Sequence, residues 1–564
     1  MPTSHDPEDH DTLEAEGDDN TADDTDYSRR GFMKTAAAAG VTTGAAGLAG
    51  CSGNGNDGGD GGDGGGDGSD GGGDGSDGGG DGSDGGDGGD GGDGGSDGTS
   101  TQDFLWWTMR GYIPAETEAI REAAAGFEDA ADQNVNLTTE VVTWDSVFQE
   151  WEAGLQGRSL PNVTEAGGEH IVNFGHQGAA EPVTEVVDQY DGWYSLSVNE
   201  GRYDGDIWGM PWFMELRTSH VNMDLLEEAG VDAPPETWEE IVTKGQTVKE
   251  ELDITAGWTT PGGQDFVTGQ NLSAFNYQAD GAFYGYENDQ WSVETDSAAT
   301  LFTHLWMLSL NREWDIAPGG WGGVDGTAAQ ELYQSGETAM VHLPSDLARS
   351  LIDPIDGVNS EYSDLANATE LTEMPTGPTG ERHSFAGVSV LGSFTDNAAQ
   401  YAAGSELSAD FANYMTQAET MDEYFPAAAP TFTPTREGQA QMELYTNNPT
   451  EVPDSWLQTR LDQAPNAIRY GITAGQRAAP FLGALEGSTS GYSVAITDMT
   501  GNDADPKQAL RSMANNIRST INDADYIDYS LEEKTSGPSL DDAPDVVRPW
   551  IEGDGKPQIY NPYE

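Results

Sequence analysis

The chain has 564 residues, and its 100 Asp and Glu against 23 Lys and Arg give a formal net charge of −77 at pH 7. This charge argues against sequence-independent nucleic-acid binding, which needs Lys and Arg to displace counterions from phosphates. It also argues against binding to bare anionic membrane surfaces, which the negative charge would repel. The single cysteine excludes intrachain disulfides, iron–sulfur clusters, blue-copper ligand sets and zinc sites built on paired cysteines.

Residues 28–51 have the pattern of an export signal followed by a lipid anchor. Arg29 and Arg30 precede a run of small, mildly apolar residues at 35–50, which is too short and too weakly apolar to span a bilayer. This pattern resembles a twin-arginine signal, and LAGC at 48–51 resembles a lipobox. We expect residues 1–50 to be a cleaved leader and Cys51 to be lipidated, in preference to a surface helix with a chance cysteine.

Residues 52–100 consist of Gly, Asp, Ser, Asn and Thr only. Such a segment has no apolar side chain to bury, so we expect a disordered linker. Its r.m.s. span is about 40 Å, which would keep a folded part near a membrane and leave it free to turn.

Residues 101–564 carry 76 acidic residues against 20 Lys and Arg, and the whole chain has only six lysines. Acid excess can indicate disorder, but the apolar patterning of this segment favours a folded protein. A Lys-poor acidic surface is tolerable where salt screens self-repulsion, so we expect an extremely halophilic source. Because acidic residues are so abundant in such a chain, a pair of them does not by itself indicate a catalytic site.

The folded part opens with alternating strand and helix patterns. Strands are predicted at 104–107, 135–143 and 162–166, and the helix between the first two starts at Pro114. Asp145 is the predicted cap of a second helix. The apolar stripes of the two helices are Ile120, Ala123, Ala124 and Phe127, then Val147, Phe148, Trp151 and Leu155.

This alternation predicts parallel-rich sheets covered by helices, in which ligands bind at the carboxyl ends of strands. Trp106, Trp107, Arg110 and Trp144 all fall at or beyond predicted strand ends. Because neighbouring residues of a strand point to opposite faces, Trp106 and Trp107 should face opposite ways.

The order of segments over 101–525 resembles the extracellular solute-binding proteins of family 1, the maltose-binding-protein-like carbohydrate receptors of ABC importers. The matching segments are the first strand with its Trp, HIVNFGHQG at 170–178, WGMPW at 208–212, VNMDLLEEAG at 221–230, PPETW at 234–238, GETAM at 336–340, FAGVS at 385–389 and DPKQAL at 505–510.

The resemblance implies an α/β, two-lobed periplasmic-binding-protein fold of type II, with a hinge between the lobes. The implied first lobe is 101–216 plus about 385–435, the second is 217–384 plus about 436–525, and 526–564 is an extension. Chain crossings are implied near 216–221, 385–390 and 433–438. A ligand that bridges both lobes would select the closed form.

The family also implies a function without a cofactor or chemistry. The protein would be a monomer on the extracellular face of the membrane that binds a sugar and delivers it to an ABC permease and its ATPase.

A sugar has an apolar C–H face and a rim of hydroxyls, which suit aromatic rings with carboxylate, amide and guanidinium groups. Each aromatic candidate could instead be a core residue, and each polar one a structural partner. The candidate ligand-binding residues are Trp107, Arg110, Trp144, His170, Trp212, Glu215, Trp258, Trp321, Asp346 and Gly387.

The sequence departs from the family pattern at two places. Pro344-Ser345-Asp346 stands where the family has an aromatic run, so Asp346 is expected to hydrogen-bond hydroxyls in place of stacking. Gly387-Val388 replaces a double glycine, and we expect the backbone at Gly387 still to approach the ligand.

Other functions remain open on the sequence. One is a secreted polysaccharide-acting enzyme, because a catalytic pair of carboxylates could not be distinguished from the many other acidic residues of this chain. Another is a binding protein for peptide, anion or metal, although His170 and His176 lack a third ligand pattern. Asn-x-Ser/Thr acceptors occur at Asn136, Asn162, Asn271 and Asn367.

Overall fold

The computed structural model describes residues 101–472, 479, 481–485, 491–523 and 527–563. The leader, Cys51 and the linker lie outside the described residues. Within them, no helix is both long and apolar enough to cross a bilayer.

The strands, in chain order, are β1 (Gln102–Thr108), β2 (Val135–Val141), β3 (Val163–Gly167), β4 (Ala180–Glu181), β5 (Arg202–Tyr203), β6 (Asp206–Ile207), β7 (Gly209–Leu216), β8 (Thr218–Asn222), β9 (Tyr284–Glu287), β10 (Gln290–Val293), β11 (Met340–Leu343), β12 (Ile352–Asp353), β13 (Gly357–Val358), β14 (Thr369–Thr372), β15 (Ser384–Phe394), β16 (Phe432–Thr433) and β17 (Ala467–Ile468).

The helices are α1 (Pro114–Ala125), α2 (Phe127–Ala130), α3 (Trp144–Gly157), α4 (Gly168–His176), α5 (Thr184–Val187), α6 (Ser195–Asn199), α7 (Met223–Glu228), α8 (Trp238–Glu251), α9 (Phe266–Gln278), α10 (Ala298–Arg312), α11 (Gly326–Gln334), α12 (Asp346–Leu351), α13 (Ser363–Ala368), α14 (Ser405–Met415), α15 (Ala418–Ala428), α16 (Glu443–Thr446), α17 (Asp454–Gln463), α18 (Leu482–Leu485), α19 (Gly491–Gly501), α20 (Pro506–Asp523) and α21 (Arg548–Glu552).

The large sheet has the strand order β16-β7-β15-β3-β1-β2, and β4 and β17 also pair with β15. β1 is parallel to β2 and β3, whereas β15 is antiparallel to β3 and β7. The sheet is therefore mixed and not parallel-rich as expected, because β15 enters it in the reverse direction. β1, β2, β3 and β7 nevertheless run the same way, so their carboxyl ends share one edge.

The first predicted strand is confirmed as β1, and its apolar run is buried on both faces. Trp106 is fully buried and packs against Phe411 (ring centroids 5.2 Å apart) and edge-on against Trp212 (5.8 Å). A strand whose two faces are covered by helices has a continuous apolar run of this kind. We call this sheet and its helices the large-sheet lobe.

A second, smaller sheet has the strand order β11-β8-β14, and all of its pairs are antiparallel. Its helices enclose a separate aromatic core, in which Trp306 lies 4.2 Å from Trp238 and 5.4 Å from Phe275 between ring centroids. We call this sheet and its helices the small-sheet lobe.

The chain passes between the sheets at one of the expected crossings. β7 of the large sheet ends at Leu216 and β8 of the small sheet begins at Thr218, so Arg217 alone joins them. The return passes through 373–383, between β14 and β15, so residues 385–390 already lie within β15 of the large sheet.

The C-terminal residues form a strap on the small-sheet lobe. Trp550 is buried against Trp238 and Trp314, with ring centroids 6.4 and 6.3 Å apart. Trp314 also donates from Nε1 to the carbonyl of Gln558 (3.1 Å). The strap therefore completes the aromatic core of that lobe.

Two local predictions around α3 are wrong. The helix begins at Trp144 with Thr143 as its N-cap, so Asp145 lies inside the first turn and is not the cap. Phe148 was assigned to the buried stripe but is 49% exposed, whereas Val147 and Trp151 are buried. The buried stripe is narrower because Phe148 packs only at its edge, against Trp151 and His170 (ring centroids 5.7 and 5.2 Å away), and leaves about half of its surface exposed.

Three buried histidines should make the small-sheet lobe sensitive to acid. Burial lowers the pKa of His220 and His342 to about 3 and that of His304 to about 4, while an unfolded chain titrates them near 6.5. Between these values the unfolded state binds more protons, so stability falls as the pH drops below 6.5. Each histidine contributes about 1.4 kcal/mol per pH unit at most.

The measurement is the melting temperature in molar salt between pH 7 and pH 5. His342→Gln should show a shallower decline than the wild type, because it removes one such group. The exposed-face variant Glu337→Gln should keep the wild-type slope. Equal slopes for all three proteins would contradict the assignment.

Candidate functional site

The site is built where the ends of strands from both sheets meet. Ser345, just after β11 of the small-sheet lobe, donates to Glu215 of β7 in the large-sheet lobe. The distances to Glu215 Oε1 are 3.3 Å from the backbone nitrogen and 3.4 Å from Oγ. The carboxyl edge of the large sheet therefore faces the carboxyl end of β11. Ligands of open α/β sheets bind at such edges.

A group of partly exposed rings lies at this edge on the large-sheet lobe. We call Tyr112, Trp144, Phe148 and His170 the aromatic platform. The centroid of Phe148 is 6.5 Å from that of Trp144 and 5.2 Å from that of His170, and Tyr112 Oη accepts from the Trp144 backbone nitrogen (3.3 Å).

Local structure explains why these rings converge. Tyr112 is in the loop after β1, Trp144 and Phe148 are one turn apart at the start of α3, and His170 is in the first turn of α4 after β3. Tyr112 is 57% and Phe148 49% exposed. Burial lowers the pKa of His170, so its ring is neutral and can pack as an aromatic surface at neutral pH.

Arg110 and Glu165 form the polar floor beside the platform. Arg110 Nε donates to Glu116 (2.7 Å), and its guanidinium carbon lies 4.8 Å from the ring centroid of Phe432. Burial lowers the pKa of Arg110, but the carboxylates of Glu116 and Glu165 outweigh it, so the net pKa is raised. Arg110 is therefore a fixed, compensated cation.

Glu165 is a fully buried carboxylate at the same place. It accepts from Thr108 Oγ1 (3.0 Å), the Met109 backbone nitrogen (2.7 Å) and Ser389 Oγ (3.0 Å). Burial raises its pKa, and these donors with Arg110 oppose the rise. Since three donors from β1 and β15 hold it, Glu165 also fixes the loop that carries Arg110.

The crossing residue Arg217 joins the lobes through its side chain. It is buried, donates to Glu215 and to Gln270 of α9, and its guanidinium carbon lies 5.2 Å from the Phe385 ring centroid. Burial lowers its pKa to about 10, while Asp346 acts in the opposite direction. Arg217 is thus charged at neutral pH.

Asp346 follows Ser345 and is exposed. Burial is the largest influence on the pKa of Arg110, Arg217, Arg349 and Arg460 and lowers it, whereas the negative charge of Asp346 acts in the opposite direction on all four. No Lys or Arg nitrogen of the described residues lies within 4 Å of its carboxylate in an ion pair. Asp346 is therefore positioned to accept hydrogen bonds from a molecule between the lobes.

Phe266 is a candidate that the sequence did not reveal. It is 60% exposed at the first position of α9, one turn before Gln270, which contacts Arg217. An aromatic residue directly after the capping Asp265, outside the buried stripe, was the available signal. Phe266 adds a ring from the small-sheet lobe near the crossing.

Several predicted indoles do not belong to this group. Trp212 is fully buried and donates from Nε1 to Tyr424 Oη (2.7 Å), and Trp321 donates to the Thr260 carbonyl (2.6 Å). Trp258 packs between Phe275 and Trp306. All three are buried in this structure: other rings cover Trp212 and Trp258, and Trp321 is held by its hydrogen bond to Thr260.

Two further predicted residues, Trp107 and Gly387, lie in strands of the large sheet. Trp107 is buried and donates from Nε1 to Glu140 Oε2 of the neighbouring strand β2 (3.0 Å), so β2 and not the platform holds its indole. At Gly387 a Cβ would meet no atom within 4 Å, and Gly387 pairs with Glu215 in the sheet. Of the predicted residues, Arg110, Trp144, His170, Glu215, Asp346 and Gly387 lie at strand ends or at the crossing and stay predictions for ligand contact, and Tyr112, Phe148 and Phe266 are further candidates.

No set of three or more His, Cys, Asp or Glu in the described part of the chain has the arrangement of a metal site. His170 Nδ1 lies 3.2 Å from Glu169 Oε1, and the His170 ring packs against Trp144 with ring centroids 6.3 Å apart. The polar groups and rings at this edge suit hydrogen bonding and ring stacking.

The model of the family "Bacterial extracellular solute-binding protein" matches residues 113–422. The chain belongs to this family.

Two curated relatives match parts of the chain. A putative binding protein of Brucella abortus strain 2308 is 26% identical over 144 residues, which are 25% of this chain and 35% of the relative. The arabinooligosaccharide-binding protein of Halalkalibacterium halodurans is 23% identical over 252 residues, which are 43% of this chain and 53% of the relative. The chain thus spans about a third to a half of the curated relatives it matches.

Solved structures share the fold at low identity. The cyclic alpha-maltosyl-1,6-maltose binding protein of Arthrobacter globiformis has a TM-score of 0.58 at 15% identity, covering 75% of this chain and 99% of its own. Maltose-bound MalE3 of T. maritima has 0.56 at 16%, covering 74% and 100%. A sugar transporter of Arthrobacter chlorophenolicus A6 with bound laminaribiose has 0.56 at 17%, covering 74% and 98%. These confirm the predicted two-lobed α/β type II fold.

The division between core and platform indoles predicts mutational effects of different size on stability. Trp212→Ala should lower the free energy of unfolding by about 3–5 kcal/mol, because it leaves a cavity among buried rings. Trp144→Ala removes a partly exposed ring and should cost much less. Denaturant unfolding in molar salt measures both, and a larger cost for Trp144→Ala would contradict the division.

Proposed function

We propose that the protein is a receptor that captures a neutral sugar or oligosaccharide between its two lobes. The aromatic platform carries this proposal, because four partly exposed rings at the ligand-binding edge of a sheet offer the apolar surface that a sugar face requires. Phe266 supplies a ring from the other lobe. The names of the relatives that bind arabinooligosaccharide, maltose or laminaribiose support the same class of ligand.

The charges at the site favour a neutral ligand over an acidic one. Arg110 is paired with Glu116 and Arg217 with Glu215, so the nearest guanidiniums already have carboxylate partners. A ligand carboxylate or phosphate would in addition approach Asp346 and Glu165. Hydroxyl groups, by contrast, can donate to Asp346 and accept from Gln270.

Closure would follow from ligand contacts on both lobes. We propose lobe boundaries of 101–216 plus about 385–435 and 217–384 plus about 436–525, with the hinge at Arg217 and the return segment before β15. Since a ligand shifts a conformational equilibrium only by its differential affinity, contacts with Asp346 and Phe266 would provide the preference for the closed form. The extension at 526–564 belongs with the second lobe.

The receptor would act outside the cell, held to the membrane by lipid on Cys51 after export through the twin-arginine signal at Arg29 and Arg30. The linker at 52–100 would let it turn toward an ABC permease, whose ATPase drives uptake. We propose a monomer, with no cofactor and no role in chemistry. The sequence pattern of residues 28–100 and the family to which the chain belongs support these proposed features.

The first experiment is a thermal-shift screen of neutral mono- and oligosaccharides and of uronic acids in molar salt, at pH 7. A ligand at 100 times its Kd should stabilise the protein by about 2.7 kcal/mol. Neutral sugars should raise the melting temperature and uronic acids should not. No response to any neutral sugar would count against the proposal.

The second experiment uses one variant of the aromatic platform and one variant of Phe266 on the other lobe. Phe148→Ala and Phe266→Ala should each weaken binding of the sugar found in the screen about tenfold, because a stacked ring contributes about 1–2 kcal/mol. Ile355→Ala, which shortens an exposed apolar residue in the β12–β13 turn, is the matched control and should bind normally. Calorimetric titration measures all three, and unchanged affinity in both Phe variants would remove the platform from the site.

An enzyme remains the alternative, and product analysis separates it from a receptor. Prolonged incubation with the same oligosaccharides should return them unaltered while the protein stays saturable. Shortened products that increase with protein concentration, and that are lost in Glu165→Gln, would favour a hydrolase.

A further inference from the structure

The four Asn-x-Ser/Thr acceptor sequences differ sharply once their surroundings are known. A transferase that attaches a glycan to asparagine needs access to the Asn amide and to the hydroxyl two residues later. For a chain that is folded when it meets the enzyme, the burial of both side chains decides which acceptor can react.

Two of the acceptors are inside the protein. Asn162 is buried and donates from Nδ2 to the Tyr401 carbonyl (2.8 Å), and Thr164 is also buried. Asn271 is fully buried and donates to Thr260 Oγ1 (2.9 Å) and to the His342 carbonyl (3.1 Å). A glycan at either position would require the core to open.

The third acceptor exposes its amide but not its hydroxyl. Asn367 is exposed near the end of α13. Thr369, however, is buried in β14, where its Oγ1 donates to the Leu365 carbonyl (2.7 Å) and contacts Tyr333 Oη (2.9 Å). An enzyme could reach the amide of Asn367 without reaching the hydroxyl.

Only the fourth acceptor offers both groups. Asn136 and Thr138 are exposed on one face of β2, with Leu137 between them pointing the other way. β2 ends the strand order of the large sheet, so β1 alone pairs with it among the described strands. The Asn136 amide makes one exposed hydrogen bond, from Nδ2 to Asp103 Oδ1 (2.7 Å), which solvent can replace.

We propose that Asn136 is an N-glycosylation site of the folded protein, and that Asn162, Asn271 and Asn367 are not. In the reaction the Nδ2 atom of Asn136 forms a bond to the anomeric carbon of a saccharide carried on a lipid phosphate or diphosphate. The bond from that carbon to the lipid phosphate oxygen breaks, the lipid phosphate leaves with the electron pair, and the amide loses one proton.

A glycan here would protect the sheet without blocking ligand capture. An exposed edge strand can pair with another chain through its free backbone groups. On the outer edge of β2, the Leu137 amide has a partner within the protein, because it donates to Glu128 Oε1 (2.8 Å). Asn136 lies at the amino end of β2. The carboxyl edge that holds the platform is about 17 Å further along the strand.

The test is peptide mass spectrometry of the protein purified from its own organism. Tryptic residues 122–158 contain Asn136 as their only acceptor. This peptide should carry an added saccharide mass that is absent from Asn136→Gln and from Thr138→Ala, and retained in Thr138→Ser. Asn367→Gln is the matched control and should leave the intact mass of the glycoprotein unchanged apart from the substitution.

Two results would overturn the proposal. One is a peptide 122–158 found entirely at its unmodified mass, and the other is saccharide on Asn162, Asn271 or Asn367. Circular dichroism of each variant establishes that it is folded, so that loss of the glycan is not a consequence of misfolding. The proposal depends on an extracellular protein and not on the identity of its ligand, so it can fail while sugar capture stands.

Discussion

The arrangement of the two lobes depends on a buried guanidinium at the point where the chain changes sheet. Arg217 joins β7 to β8, and an unpartnered cation in this place would cost several kcal/mol. Its partners Glu215, Gln270 and Phe385 come from β7, α9 and β15, so these three elements must all be in place together. The same contacts put Glu215 beside Ser345 and hold Asp346 at the mouth between the lobes.

Part of the small number of cations in this acidic chain lies inside the protein. Arg217, Arg349, Arg460, Arg469 and Arg518 are all buried, and Arg469 lies between Glu169 and Glu200 at 2.9 and 2.6 Å. The surface is therefore left with an excess of carboxylates, which salt must screen. Around the site Arg110 is paired with Glu116 and Arg217 with Glu215, so part of the local acidic charge is compensated.

The aromatic residues follow a similar division. Several tryptophans form two ring clusters, one around Trp106 and Trp212 and one around Trp238, Trp258 and Trp306. The rings left over at the carboxyl edge, from Tyr112 to His170, come from three separate loops and helix starts. A ring that stacks on a ligand and a ring that fills a core have the same composition and similar flanking residues, so only the neighbours distinguish them.

The sequence determined the parts that depend on local pattern. The continuous apolar run of β1, the proline at the start of α1 and the order of the family segments were sufficient to predict the two-lobed α/β fold. They also indicated Arg110, Trp144 and Asp346 beside strand ends. The tertiary structure alone decided that Trp212, Trp258 and Trp321 fill cores, that Phe148 and Phe266 are exposed, and which acceptor asparagine is accessible. The reason is physical: burial and pairing arise between residues far apart in the chain, such as Trp212 with Tyr424 or Glu215 with Ser345, and no local pattern records them.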